Sequence, residues 1–262
     1  MQHHFNSSYA DKRVLVVGCH SGIGHATARL LLDCGAQVYG LDWKPCDLAL
    51  AGFAQVDLRS RESIDLAAAT HQSPLDALFN CAGIPPGTPP MDVVTVNYIG
   101  TRYLTDRLLP LMQAGSAIVN VASTGGMAWP HHLADLRALV ELDGFDAATQ
   151  WCAARPELIT EGYRFSKEAM IAWTMIHSAS LIRRGIRMNC TLPGAVQTPL
   201  LEEIEKITPS AVIDQVAQPI GRRSSADEQA QVLAFLGSDA AGYVNGAVLP
   251  VDGGFMASIA VQ

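Results

Sequence analysis

Short apolar runs rich in β-branched residues alternate with longer amphipathic stretches along almost the whole chain. This alternation is typical of repeated strand–helix units, which fold into a parallel sheet with helices on both faces. Strands buried on both faces read as nearly continuous hydrophobic runs, so they can be located directly. The sequence predicts strands at Arg13–Val17, Gln37–Leu41, Ala54–Val56, Ala77–Asn80, Ala117–Val121, Arg187–Leu192 and Ala247–Val251.

Helical periodicity follows several of these strands, at Gly22–Cys34, about Met91–Gln113, Tyr163–Ile182 and Ala226–Leu236. No repeat or linker divides the chain, so we expect one domain, 1–262, of the doubly wound α/β (Rossmann) class. Residues 124–162 break the alternation as a mostly helical insertion between the fifth strand and the following helix. A segment of this length inside a compact domain is usually functional, and we expect it to act as a substrate lid.

Composition narrows the possible partners. The formal net charge is −7 and the basic residues are scattered, which argues against binding to nucleic acid. No apolar run reaches the length of a membrane helix. The six cysteines are spread singly, without the spacing of a metal site. We therefore expect a cytoplasmic protein that binds no metal, no membrane and no nucleic acid.

A glycine-rich turn joins the first predicted strand to the first helix. It contains Gly18, Ser21, Gly22, Ile23 and Gly24. Glycines at this point let the backbone approach a pyrophosphate closely, and the N–H groups of the helix N-terminus hold its negative charge. Because the turn lies between a strand and a helix, it predicts a dinucleotide site rather than an ordinary turn.

An acidic residue, Asp42, ends the second predicted strand. A carboxylate in this place can accept both ribose hydroxyls of NAD and repels the 2′-phosphate of NADP. The nearest basic residue on the chain is Lys44, two positions further on. The sequence therefore favours NAD over NADP.

Tyr163 and Lys167 open a long predicted helix, and their spacing of four places both on one helical face. A free tyrosine, with a pKa of about 10, is a poor base at neutral pH. A nearby ammonium favours the phenolate and brings the tyrosine into working range. The pair predicts a general acid/base only in combination with other motifs, since many helices contain this spacing.

Tyr163 and Lys167 belong to a larger set of motifs. The set comprises Gly18-x-x-x-Gly22-Ile23-Gly24, Asn80-Cys-Ala-Gly83, Asn97, Ser123, Tyr163-x-x-x-Lys167, Pro193-Gly194 and Val251-Asp252-Gly253-Gly254. In order and spacing, these motifs resemble the short-chain dehydrogenase/reductase family over Arg13–Phe255.

The resemblance implies roles for four catalytic residues. Tyr163 would move the hydroxyl proton while hydride passes to or from the nicotinamide, and Ser123 would hydrogen-bond the reacting oxygen. Lys167 would lower the pKa of the tyrosine and hold the nicotinamide ribose, and Asn97 would position a water in a proton relay. It also implies further NAD contacts: Asp57 and Leu58 at the adenine, Asn80, Ala82 and Gly83 at the adenosine ribose, and Val196 and Thr198 at the carboxamide.

The 40 positions between Ser123 and Tyr163 are unusual for that family. This gap is similar to that of the subgroup with bacterial 3α-hydroxysteroid dehydrogenase/carbonyl reductase and coniferyl-alcohol dehydrogenase. The likeness implies a hydrophobic, ring-bearing alcohol or carbonyl substrate. Trp129 and Trp151 of the insertion, and Pro193, are candidate substrate contacts, although either tryptophan could equally anchor the insertion. His131 and His132 are expected to face solvent.

The sequence thus predicts an NAD-dependent short-chain alcohol dehydrogenase, and the resemblance implies a homodimer or homotetramer. Two alternatives stay open at this stage. One is a carbonyl reductase that prefers NADP. The other is a non-catalytic protein that senses NAD(H) on the same fold, which the complete set of catalytic residue types disfavours.

Overall fold

The computed structural model describes residues 8–262. Its centre is a parallel sheet of seven strands in the order β3-β2-β1-β4-β5-β6-β7. The strands are β1 (Arg13–Val17), β2 (Gln37–Asp42), β3 (Gly52–Gln55), β4 (Leu75–Asn80), β5 (Met112–Val121), β6 (Arg187–Pro193) and β7 (Val248–Val251). The winding reverses between β1 and β4. In such sheets, ligands bind outside the carboxyl ends of the strands at this reversal.

Helices cover both faces of the sheet, which confirms the predicted doubly wound Rossmann fold. They are α1 (Gly22–Asp33), α2 (Arg61–Ala69), α3 (Pro90–Val94), α4 (Thr101–Leu108), α5 (Leu133–Val140), α6 (Gly144–Ala153), α7 (Gly162–Leu181), α8 (Pro199–Glu205), α9 (Ser210–Val216), α10 (Ala226–Gly237) and α11 (Phe255–Ala260). Helices α1 and α10 pack together on one face, while α2, α4 and α7 belong to the other. Each face has its own buried apolar core.

Local sequence signals explain the ends of several elements. Gly35 has a φ of +83° directly after α1, a backbone conformation that favours glycine and ends the helix. Ser225 begins α10 with a capping box, in which its hydroxyl accepts from the Glu228 N–H and the Glu228 carboxylate accepts from the Ser225 N–H. These signals explain why the predicted bounds of α1 and α10 agree with the structure to within one residue.

The helix predicted at Met91–Gln113 differs from the structure. The helical region begins with α3, passes through a π-helical turn at Thr95–Gly100, and ends with α4 and a 3₁₀ turn at Leu109–Leu111. Strand β5 then begins at Met112, not at Ala117. Pro110 removes a backbone donor in the last turn, so the helix cannot continue.

Four further helices, α2, α8, α9 and α11, were not predicted. They are short, at six to nine residues, and each has at most a few buried positions. So few buried residues give too weak a periodic pattern to identify a helix from sequence.

The insertion after β5 is mostly helical, as predicted, and contains α5 and α6. Both helices pack against the body of the domain, α5 on α7 and α6 on the π-helical turn. Within residues 8–262, no helix combines the length and apolarity needed to cross a membrane.

Candidate active site

A cavity of about 660 Å³ opens at the carboxyl ends of the central strands. That volume lies in the range of small-molecule and cofactor sites. Most of the predicted site residues line it: Gly18, Ser21, Gly22, Ile23, Asp42, Asp57, Leu58, Ala82, Gly83, Ser123, Tyr163, Lys167, Pro193, Val196 and Thr198. The structure thus brings the glycine-rich turn, the acidic strand end and the Tyr–Lys pair into one space.

The glycine-rich turn follows β1 and leads into α1. Gly18 has a φ of +88°, and a Cβ there would lie 2.5 Å from the backbone nitrogen of Ala82. Gly22 has a φ of +59° and lies next to the Thr198 side chain, and both residues line the cavity. Gly24 does not line the cavity; a Cβ there would lie 2.0 Å from the Gly18 carbonyl oxygen. At its glycine positions, the turn therefore presents backbone rather than side chains to a ligand.

Asp42 lies at the end of β2 with its carboxylate held by two backbone groups. The His20 N–H donates to Oδ2 at 2.9 Å, and the Lys44 N–H donates to Oδ1 at 3.1 Å. A carboxylate oxygen can accept more than one hydrogen bond, so capacity for ligand hydroxyls remains. This fixed carboxylate fits the two hydroxyls of an adenosine ribose.

Two predicted nucleotide contacts have strong partners within the protein. Asp57 accepts hydrogen bonds from the Arg59 backbone N–H and guanidinium, and the latter holds the pKa of the Asp57 carboxyl below its usual range. The Asn80 side chain points into the sheet interior, where its amide donates to Thr105 and Asn120. Its side chain does not line the cavity, and the adjacent Cys81 and Ala82 do.

The Ser123, Tyr163 and Lys167 side chains meet where β5 ends and α7 begins. The Lys167 ammonium lies 5.6 Å from the centre of the Tyr163 ring and donates to the Val121 carbonyl at 3.0 Å. Burial lowers the pKa of Lys167 to about 8. Burial raises the pKa of Tyr163, and hydrogen bonding with the Ser123 hydroxyl opposes that rise.

The pKa of Tyr163 reflects its surroundings in the protein alone. Burial is the largest influence and raises this pKa, and the Ser123 hydrogen bond lowers it. The lowering by Lys167 that the family resemblance implies stays a prediction. The Lys167 ammonium donates to the Val121 backbone carbonyl and lies 5.6 Å from the centre of the Tyr163 ring. In the protein alone, Ser123 is the group that favours the phenolate.

Asn97 lies behind the cavity, in the π-helical turn between α3 and α4. Its side chain is fully buried, accepts from the Ile84 N–H at 2.7 Å and donates to the Ile84 carbonyl at 3.1 Å. It also donates to the Ser166 hydroxyl at 3.3 Å, one residue from Lys167. π-helical turns are often found at functional sites, and here the turn joins the strand-end loop to α7.

Comparisons with known proteins agree with this arrangement. A family model described as short chain dehydrogenase matches residues 12–134. A second model, described as Enoyl-(Acyl carrier protein) reductase, matches residues 152–256. Coniferyl-alcohol dehydrogenase of Pseudomonas sp. (strain HR199 / DSM 7063) is 38% identical, with 93% of this chain and 96% of the relative covered. This chain belongs to the short-chain dehydrogenase/reductase family.

Two more members of the family are similar over nearly their whole length. The 3-alpha-hydroxysteroid dehydrogenase/carbonyl reductase of Comamonas testosteroni is 30% identical, with 92% of this chain and 95% of the relative covered. The crystal structure of 3-alpha-hydroxysteroid dehydrogenase from Pseudomonas sp. B-0831, complexed with NADH, has a TM-score of 0.81 at 30% identity. It covers 96% of this chain and 99% of that one. The chain is accordingly an oxidoreductase.

The substrate end of this short-chain dehydrogenase differs from the sequence expectation. Of the three candidate substrate contacts, Pro193 lines the cavity, but Trp129 and Trp151 do not. Both tryptophans pack against the main core, and the Arg155 guanidinium covers the Trp151 ring at 4.3 Å. In this structure they anchor the insertion to the body of the domain. Within the insertion, Thr124 is the residue that reaches the cavity.

His132 was expected to face solvent, and the structure corrects this. Its ring nitrogen Nδ1 hydrogen-bonds the Glu168 carboxylate at 2.7 Å. Glu168 lies on α7, is 1% exposed and follows Lys167 directly. The contact therefore fastens the insertion to the helix that carries the Tyr–Lys pair.

The sequence also favours a substrate pocket bordered by the segment after Pro193, but it does not identify the individual residues there that line the cavity. They come from the helices after β6, and they are Leu200, Leu201, Glu203, Ile204, Ile213 and Val216. The spacing of Leu200, Leu201 and Ile204 gave a short helical signal directly after Pro193-Gly194. This spacing is the sequence feature from which the helix that lines the cavity could have been predicted.

Proposed function

We propose that this chain is an NAD-dependent alcohol dehydrogenase that interconverts a hydrophobic, ring-bearing alcohol and its carbonyl. The observation that carries the proposal is a single cavity with two chemically different ends. A fixed carboxylate, Asp42, lies at one end, and Ser123, Tyr163 and Lys167 lie at the other.

The residues at the nucleotide end fit NAD. The glycine-rich turn leaves space for the cofactor beside Gly22, because a Cβ at this position would lie only 3.3 Å from the Thr198 side chain. The Asp42 carboxylate would accept ribose hydroxyls, and its charge opposes a 2′-phosphate. Lys44 and Arg59 also line this end, and Arg59 is engaged by Asp57. In this proposal, the glycine-rich turn is closed by Gly24. The adenosine part of the cofactor lies near Asp57, Leu58 and Asn80.

The residues at the other end fit an acid/base reaction at a hydroxyl. When bound, oxidised nicotinamide cofactor supplies the hydride acceptor and a positive charge. Tyr163 takes the alcohol proton on its phenolate oxygen as the carbon–hydrogen bond breaks, and returns it in the reverse direction. Ser123 donates to the reacting oxygen and stabilises its developing negative charge. Lys167 holds the nicotinamide ribose, and Asn97 fixes the loop and helix that carry the proton path.

The substrate wall supports a hydrophobic ring as the substrate class. Ile204, Ile213, Val216 and Pro193 line it, together with Leu200 and Leu201. Apolar lining with a few polar groups at the reacting atom is the usual form of such sites. Two relatives of this chain carry names that specify coniferyl alcohol and 3-alpha-hydroxysteroids, both of which contain rings. We propose that an aryl or allylic alcohol, or a hydroxysteroid, is the substrate.

The test is NADH formation, followed by absorbance, with coniferyl and cinnamyl alcohols, hydroxysteroids and simple secondary alcohols, each with NAD and with NADP. Turnover of one ring class with NAD is expected. Because burial raises the pKa of Tyr163 and the phenolate is the reactive form, kcat/KM for oxidation should rise with pH above neutrality. Equal turnover with NADP would contradict the cofactor proposal.

An NADP-preferring carbonyl reductase is the second candidate, because Lys44 lies beside Asp42 on the cavity wall. Paired titrations with NADH and NADPH separate the two candidates, since the first predicts a clear preference for NADH. The non-catalytic sensor predicts tight NADH binding without turnover of any alcohol. The homodimer or homotetramer and the cytoplasmic location stay predictions.

A further inference from the structure

We propose that His25, Cys46 and Asp47 form a binding site for a divalent transition metal, with Zn²⁺ as the best fit. Among the described residues 8–262, these three side chains place an imidazole nitrogen, a thiol sulfur and a carboxylate oxygen within 4.8 Å of one another. None of the three lines the cavity of the proposed dehydrogenase. The inference therefore stands independently of the proposed function.

The three ligand atoms come from two different elements. His25 lies in the first turn of α1, and Cys46 and Asp47 lie in the connection between β2 and β3. The His25 Nε2 and an Asp47 carboxylate oxygen already lie 2.8 Å apart. Because 21 positions separate His25 from Cys46, no short ligand spacing announces the site in the sequence. The fold creates it.

The geometry needs only a small adjustment. Zn²⁺ binds nitrogen and oxygen at about 2.0–2.2 Å and sulfur at about 2.3 Å, so ligand atoms in a tetrahedral site lie roughly 3.4–3.8 Å apart. Atoms within 4.8 Å of one another reach that separation by side-chain movements of about 1 Å. The Asp47 side chain is 85% exposed and the His25 side chain is 25% exposed, so both have room to turn. Solvent can fill the fourth position.

The connection that carries two of the ligands is already fastened to the glycine-rich turn. A His20 ring nitrogen hydrogen-bonds the Pro45 carbonyl oxygen at 2.6 Å, and metal binding leaves this contact in place. The Cys46 thiol also donates to the Cys19 carbonyl at 3.2 Å, a hydrogen bond that ends when the thiol proton leaves. This backbone therefore does not have to be ordered from a free loop when a metal binds. A prearranged connection lowers the entropy cost of binding.

The chemistry of the ligand set selects the class of ion. Imidazole and thiolate are ligands for Zn²⁺ and similar transition metals, whereas Mg²⁺ and Ca²⁺ prefer sites made of oxygen atoms. Asp47 is exposed, and an exposed aspartate is ionised at neutral pH, so its carboxylate is in the form that binds metal. Binding would displace the Cys46 thiol proton, which passes to the buffer.

The experiment titrates the full-length, tris(carboxyethyl)phosphine-reduced protein with ZnCl₂ by calorimetry, without NAD(H). The N-terminal His3 and His4 are replaced by alanine in every sample, so that they cannot bind the metal. One Zn²⁺ per chain is expected, with no binding of Mg²⁺. Co²⁺ should give a near-ultraviolet thiolate-to-cobalt charge-transfer band, which reports directly on a Cys46 sulfur–metal bond.

Single replacements of the ligands provide the decisive comparison. His25→Ala and Cys46→Ser should each weaken Zn²⁺ binding by at least roughly tenfold, because even groups that only orient a ligand contribute that much. His131→Ala is the matched control: this histidine is exposed in the insertion and should leave the affinity unchanged. With Zn²⁺ at a hundredfold excess over its Kd, the parent's Tm should rise by about 5 °C.

Two results would overturn the inference. One is Zn²⁺ binding that is equally strong in His25→Ala, Cys46→Ser and the His131→Ala control, since the metal would then bind elsewhere. The other is no binding at all, while circular dichroism and the Tm show a folded protein. Loss of dehydrogenase activity has no bearing on either result, because metal binding is measured directly.

Discussion

Two helical segments flank the candidate active site, and they relate to it in opposite ways. The insertion, residues 124–162, contributes many residues to the main core, including Leu136, Leu139 and Phe145, but reaches the cavity only at its first residue. The α8–α9 segment, residues 199–216, forms a small separate apolar cluster and lines the cavity with several residues. The longer segment therefore packs mainly into the core, and the shorter one borders the cavity, where we propose that it forms the substrate wall. The role of the insertion as a substrate lid stays a prediction.

This difference teaches that length and position in the chain do not decide which segment covers a site. The insertion is fixed on α7 by the His132–Glu168 contact and by burial of its apolar residues. Segments with few buried apolar contacts open at lower free energy than those embedded in a core. We expect α8–α9, not the insertion, to move when a substrate enters.

The largest effect is expected between the two segments, at the phenol of Tyr163. Tyr163→Phe removes the general acid/base, so kcat should fall by about 10³-fold, within the range usual for such groups. The cavity shape is nearly unchanged, and the Kd for NADH should stay the same. Steady-state kinetics and NADH fluorescence titration measure the two quantities.

Tyr243→Phe is the control, because Tyr243 is fully exposed and the same hydroxyl is removed. It should keep wild-type kcat. If Tyr163→Phe retained turnover, Tyr163 would not be the general acid/base, and another group would have to carry out the proton transfer.

The insertion should give the next effect, on stability and not on catalysis. Phe145 on α6 is 8% exposed, and its ring packs edge-on against Tyr103 at 5.8 Å. Phe145→Ala should lower the free energy of unfolding by about 3–5 kcal/mol, because it leaves a cavity in the core. Urea denaturation measures this, and KM for the alcohol should not change.

Phe53→Ala is the matched control, since that ring is 41% exposed and its loss should cost much less. A raised KM in Phe145→Ala, with stability unaffected, would show that the insertion is a lid after all and would reverse the comparison.

The sequence predicted the two ends of the cavity unequally well, and the reason is physical. Gly18, Gly22 and Asp42 lie at a strand end or a helix start, so a short stretch of sequence determines their positions. Tyr163 and Lys167 share one helical face for the same local reason. These parts, with the strand order that places them, were predictable from sequence.

The packing of the insertion was not predictable in the same way. Trp151 is covered by Arg155, and His132 meets Glu168 from a separate helix 36 positions away. Such contacts depend on how whole helices pack, which no local pattern encodes. The same holds for Asn97, whose π-helical turn interrupts a region that reads as one regular helix.

A replacement of Asp42 tests cofactor binding at the nucleotide end of the cavity, which neither helical segment forms. Asp42→Ala removes a charged acceptor for the ribose hydroxyls, so NADH affinity should fall by about 10- to 100-fold. NADPH affinity should rise, because the repulsion of its 2′-phosphate is lost. Fluorescence titration measures both, and Asp239→Ala, an exposed aspartate outside the cavity, is the control. Unchanged discrimination between the two cofactors would place specificity elsewhere, with Lys44 and Arg59 as the nearest charged residues.

The smallest expected effect decides directly between the two segments. Ile204 on α8 lines the cavity and packs beside the small apolar cluster, so Ile204→Ala removes contact area from a ring-bearing substrate. KM should rise by about 10-fold, the usual value of a few methylene groups in a hydrophobic pocket, with little change in kcat. Ile207→Ala is the matched control, since Ile207 is 57% exposed and does not line the cavity. Equal KM values for both variants would mean that α8 does not contact the ring, and the substrate wall would then have to lie on the Pro193 side.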